Sequence, residues 1–110
     1  MQRFVQCAAA LVLAVGMAAT ASAAPKPFRG EAKLATAVAS PTEQSVDGVT
    51  WKCDGDTCVG QADNYSTLDS FLKECRKVSA VLGPLTSYSS RGRELTGNSI
   101  SPCNRGAKGA

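Results

Sequence analysis

The hydrophobic positions of this chain fall first into one unbroken run, then into alternation, then into a helical stripe. The run "CAAALVLAVGMAA" follows Arg3 and gives way to Ala21-Ser22-Ala23. A basic start, an apolar core and a small-residue exit are the parts of a secretory signal, which places a cut after Ala23, or after Ala21. As an anchor helix the run falls short of the roughly 20 apolar residues that a span requires, and no basic cluster follows it directly. Residues 1–23 are therefore expected to be removed on export. Cys7 goes with them, because it lies at the beginning of the run and a lipoprotein signal needs its cysteine at the end.

Alternation comes next. "APKPFRGE" carries two prolines and mixed charge and reads as a flexible arm, and "AKLATAVA" alternates poorly, with Leu34, Thr36 and Val38 on one face, as a weak edge strand would. Pro41 and "SPTEQS" then break the chain, so residues 24–44 form an arm and residues 45–110 a small domain. From Val49 the pattern sharpens: Val49, Trp51 and Cys53 alternate with Thr50 and Lys52, and Asp54-Gly55-Asp56-Thr57 turns the chain back through Cys58, Val59, Gly60 and Gln61. In that hairpin Cys53 faces Cys58 and Trp51 faces Gly60, where an indole can cover a backbone that has no side chain. This makes Trp51 a core residue rather than a stacking platform for a ligand.

The stripe is "YSTLDSFLKECRKVSAVLG", a helix expected to begin near Ser66 or Thr67 and to end at Gly83 before Pro84. Leu68, Phe71, Leu72, Cys75, Val78 and Leu82 recur at three- and four-residue steps, which turns Cys75 inward and leaves Lys73, Glu74, Arg76 and Lys77 on the wet face. Beyond it "LTSYSS" suits a strand, Gly92 a turn and Leu95 a short return, whereas Gly97, Asn98 and Pro102 oppose a long helix in the tail, leaving Cys103 to tie it down. The fold class this predicts is α+β: a small antiparallel sheet packed on one helix.

The mature chain keeps Cys53, Cys58, Cys75 and Cys103, an even set in an exported chain too short to rest comfortably on its core alone, which reads as a disulfide framework. Four cysteines admit three connectivities. The hairpin brings Cys53 and Cys58 to about 4.5–5.5 Å between Cα atoms, within disulfide range, and leaves Cys75 for Cys103. A zinc site would need two short-spaced ligand pairs, and only Cys53 and Cys58 are close, with no histidine in the chain to complete the set. Thiol–disulfide catalysis favours a low-pKa thiol at a helix start with two residues between the partners; here four intervene, two of them aspartates that raise a thiol pKa, with Lys52 in partial offset. Asp54 and Asp56, with Asp63 and Asn64 downstream, lack the ligand series and closing glutamate of an EF-hand and are ordinary turn formers.

Charge adds little. Once Arg3 leaves with the signal, eleven of the twelve Lys and Arg face nine Asp and Glu, a net charge of +2, and the cations are scattered and not interleaved with aromatics, so no nucleic-acid surface is expected. Without histidine no serine has a base, and no acidic pair stands in an environment that would split its pKa values. No cofactor is called for, and no stable membrane insertion once the signal is gone.

"WKCDGDTCVG", "ECRKV", "LGPLTSYSSRGREL" and "PCN", taken in order, resemble a family of short exported alphaproteobacterial proteins of uncharacterised function. The resemblance implies a periplasmic setting and supplies no activity; it also implies a helix before the late Cys-Asn, against which Gly97 and Pro102 stand. The expected function is that of an exported structural or binding domain of the cell envelope, not an enzyme, acting on an envelope protein or ligand that the sequence does not identify. The alternative is a periplasmic thiol-disulfide partner using Cys53 and Cys58.

Overall fold

A computed structural model describes residues 27–109. The signal sequence read in residues 1–23 lies outside them. In chain order the elements are β1 (Phe28–Leu34), β2 (Thr42–Val46), β3 (Val49–Asp54), β4 (Thr57–Ala62), α1 (Phe71–Leu82), β5 (Leu85–Ser90), β6 (Arg93–Thr96) and a 3₁₀ helix (Gly97–Asn104). The strands form one six-stranded sheet in the order β2-β3-β4-β1-β5-β6, antiparallel throughout. The helix α1 and the 3₁₀ helix cover one face, making an α+β fold with its core between sheet and helices.

The β3–β4 hairpin has the expected register, with Trp51 opposite Gly60 and Cys53 opposite Cys58. Gly55 stands at φ +64 in the first central position of the turn, the place a type II′ hairpin reserves for glycine. Its neighbour on the outer edge, β2, joins β3 through Asp47-Gly48, both at positive φ as a type I′ turn requires.

Residues 28–34 depart from expectation. They form neither a flexible arm nor an edge strand: β1 is a central strand, paired with β4 on one side and β5 on the other. Its buried positions are Phe28, Gly30, Ala32 and Leu34, and its outward ones are Arg29, Glu31 and Lys33. The two middle inward residues are small because Trp51 lies above Gly30 and Cys58 beside Ala32, so the alternation is real but barely hydrophobic. "TEQSV" likewise is a strand and not a break. As an edge it buries only Val46 fully, and its polar composition hid it.

Helix α1 begins later than the stripe suggests. Ser70 is its N-cap, its Oγ accepting from Lys73 N at 3.1 Å, while Thr67 Oγ1 accepts from Asp69 N at 3.0 Å in a separate turn before it. Leu68 consequently lies outside the helix and is fully exposed. The end is as expected: Gly83 N donates to Ser79 O and closes the helix before Pro84. The tail, where Gly97, Asn98 and Pro102 oppose a long helix, winds as a 3₁₀ helix with Pro102 inside it. It is fastened at its end by Asn104, whose side chain accepts from Leu85 N at 2.8 Å and donates to Leu85 O at 2.9 Å, pairing with the first residue of β5 as a strand would.

Candidate functional site

The four cysteines form two bridges inside the core. Cys53–Cys58 spans β3 and β4 with 4.0 Å between Cα atoms, at a pair next to the hydrogen-bonded Asp54–Thr57 that flanks the turn, where facing residues approach most closely. Cys75–Cys103 ties α1 to the 3₁₀ helix with 5.4 Å between Cα atoms. All four side chains are 3 % exposed or less.

The turn between the close pair does structural work through its backbone. Asp56 O accepts from Leu34 N at 2.7 Å and Gly55 O from Val38 N at 2.9 Å, so the hairpin tip holds the segment that leaves β1. Lys33 Nζ reaches Thr57 Oγ1 at 3.1 Å across the same corner. Among the described residues no group of three or more His, Cys, Asp and Glu is placed to hold a metal ion.

Trp51 is 1 % exposed and belongs to a run of aromatic rings: its centroid lies 6.3 Å from that of Phe28 and 5.9 Å from that of Tyr88, which in turn lies 5.6 Å from Phe71. No ring face of Trp51 is open to a ligand.

A buried carboxylate is the feature that the sequence reading misplaced. Glu74 is 5 % exposed, not on the wet face. Its Oε2 accepts from Tyr88 Oη and from Ser90 Oγ, each at 2.5 Å, and its Oε1 accepts from Arg91 Nη2 at 2.5 Å. Burial, and then the carboxylate beside it, push the Tyr88 phenol well above its ordinary value. Arg91 holds φ +51 at the first central position of the β5–β6 turn, a conformation costly for a residue with a Cβ, and the ion pair with Glu74 offsets that cost. The signal was present in the spacing: position 74 lies three after Phe71 and four before Val78, inside the inward arc. Glu74 thereby ties α1 to Tyr88 and Ser90 of β5 and to Arg91 of the turn after it.

On the surface, Lys77 Nζ lies 2.6 Å from Asp69 Oδ2 and 3.0 Å from Asp47 Oδ2, joining α1 to the segment before it and to the β2–β3 turn. The Lys77 ammonium beside it lowers the Asp69 pKa, and the Asp69 and Asp47 partners raise that of Lys77. The outer face of the sheet is polar, with Arg29, Glu31 and Lys33 on β1 flanked by Gln61, Val59 and Thr57 on β4 and by Ser89 and Ser87 on β5. Two open hollows lie on it, one of about 450 Å³ between Arg29, Glu31, Ser89 and Arg93, the other of about 600 Å³ between Glu43, Thr50, Lys52 and Asp63. Both mix charges of either sign. Among the described residues no helix is long and apolar enough to cross a membrane.

This chain belongs to a family of unknown function, DUF8200, whose model matches residues 11–105. No curated protein and no solved structure matches it.

Proposed function

We propose that the protein is an exported structural or binding domain of the cell envelope without a catalytic role, and that both disulfides serve the fold. The observation carrying this reading is the burial of all four cysteines: a thiol-disulfide partner presents at least one sulfur to its substrate, and here every one lies within the core. The leader read in residues 1–23 and the oxidising compartments to which such leaders direct proteins support the same setting. The outer sheet face, polar and open from β2 to β6, is the extended surface on which a binding role would act.

Alkylation of the exported protein before and after mild reductant, read by intact mass, tests the reading. Complete protection until denaturant is added with strong reductant is the expected result. A Cys53–Cys58 pair opened by mild reductant in the folded protein would transfer the assignment to thiol-disulfide exchange, and free thiols with stoichiometric metal would transfer it to zinc binding. Crosslinking and pull-down from envelope fractions then identify the partner.

A further inference from the structure

The two edges of the sheet are finished differently. On β6, Arg93 pairs with Ser90 beside the two-residue turn, so ladder bonds alternate and the groups of Glu94 and Thr96 point away from β5. Thr96 is already satisfied: its N–H donates to Ser99 Oγ at 2.9 Å, and that hydroxyl donates back to Thr96 O at 2.7 Å. The 3₁₀ helix that follows thus leaves Glu94 as the one residue of this edge whose outward groups are open among the described residues.

The β2 edge has no such finish. Val46 pairs with Val49 beside the Asp47-Gly48 turn, so Thr42, Gln44 and Val46 bond to β3 while the backbone groups of Glu43 and Ser45 point outward. Among the described residues no hydrogen bond reaches those groups. Beyond its shortness and the charge of Glu43 the strand carries no further protection of an edge: its register is unbroken by a bulge, no lysine lies on it, and Pro41 stops one residue short.

We infer that the β2 edge is a self-pairing surface, on which a second copy of this chain adds its own β2 antiparallel about a two-fold axis at Gln44. Glu43 and Ser45 lie symmetrically about that residue, so each Glu43 meets Ser45 of the second copy and the outward N–H and C=O groups are exchanged at both pairs. Charge selects this register. Shifting by two residues one way sets Glu43 against its own counterpart, and shifting the other way sets it against Asp47 of the second copy, both like-charge pairs. The finish of β6 matters as much: head-to-tail pairing of β2 on β6 would propagate a filament, and with Thr96 committed only Glu94 could exchange bonds there, one position against the two that β2 offers itself. A two-fold pairing through β2 alone closes on itself. An interface built on strands of this length falls below standard size, so the dimer is transient, forming in the range of roughly 10 µM to 1 mM.

Sedimentation equilibrium across that range, with amide exchange at Glu43 and Ser45, tests the inference on the full exported chain. The expected result is a monomer–dimer equilibrium in which both amides gain protection as concentration rises. Ser45→Glu sets a carboxylate against Glu43 at both symmetric pairs and should weaken association about tenfold, whereas Ser45→Lys sets an opposite charge there and should strengthen it several-fold. Ser45→Pro removes an outward N–H that β3 does not use and should abolish the dimer while Trp51 emission stays that of the folded chain. A protein that remains monomeric to about 1 mM overturns the proposal. So does a dimer indifferent to both charge substitutions, or amides protected only when a foreign peptide is added.

Discussion

The indole of Trp51 lies so close over Gly60 that a Cβ built on the glycine would stand 2.5 Å from Cε2, well inside contact distance. Tryptophan and glycine face each other across β3 and β4 as a fitted pair, each setting the size of the other. Gly60→Ala must therefore displace the ring and should cost about 1–3 kcal/mol. Trp51→Ala leaves the space empty and should cost about 3–5 kcal/mol. Urea denaturation of both variants reads the two figures, and a blue-shifted native emission that resists quenching verifies the burial.

The bridges should rank by the length of chain they close. Cys53–Cys58 closes a separation of 5 residues and Cys75–Cys103 one of 28, so the chain-entropy model assigns about 2 kcal/mol to the first and about 3.5 kcal/mol to the second. Replacing Cys75 and Cys103 with serine should lower the melting temperature more than replacing Cys53 and Cys58, and should also expose the tail to protease. Paired thermal melts test the order.

Removing the buried carboxylate should be more damaging than its single position suggests. Glu74→Ala leaves Tyr88, Ser90 and Arg91 without their shared acceptor and should cost about 3–5 kcal/mol, while Glu74→Gln retains one acceptor oxygen and should cost less. Chemical denaturation of the two variants separates these outcomes.

The same network makes stability fall on the alkaline side. The Tyr88 phenol is raised in the fold above its ordinary value of 10.0, so the neutral form is favoured there; its contribution is whole below about pH 10 and is lost as pH rises above it. Lys77, raised by its Asp69 and Asp47 partners, acts in the same direction. Tyr88→Phe should therefore flatten part of the alkaline decline without removing it. Melting temperature against pH for both proteins, with tyrosinate absorbance followed in parallel, tests this.

Asn104 serves as both donor and acceptor to Leu85, which accounts for the asparagine beside the last cysteine. Asn104→Ala should cost about 1–3 kcal/mol, and Asn104→Asp should cost too, because a carboxylate can replace the acceptor but not the donor. Amide exchange at Leu85 gives the local reading.

The sequence made visible whatever is determined by near neighbours. Val49, Trp51 and Cys53 alternate within one strand, an Asp-Gly turn returns the chain, and the cysteine register follows; Gly83 and Pro84 end the helix by local rules. What it concealed is set by residues distant along the chain. Gly30 and Ala32 look too small to mark a central strand until Trp51 and Cys58 are placed against them. Glu74 looks like a surface glutamate until β5 brings Tyr88 and Ser90 to it from the far side of Gly83. Only Val46 of "TEQSV" is apolar, too little to announce an edge strand, and the different finish of the two edges is visible only once both are built.

The place of β1 in the sheet governs the order of assembly. The β2-β3-β4 meander and the β5–β6 hairpin are each made from neighbouring segments and can form early, but in the sheet they touch only through β1. The strand that joins them is the first of the six to be synthesised, and its partner β5 comes only after the whole of α1. Residues 28–34 must therefore remain unpaired on one side until β5 has been made, so the sheet closes through its least local pairing. A truncation that removed this strand would not trim an edge but would divide the sheet in two.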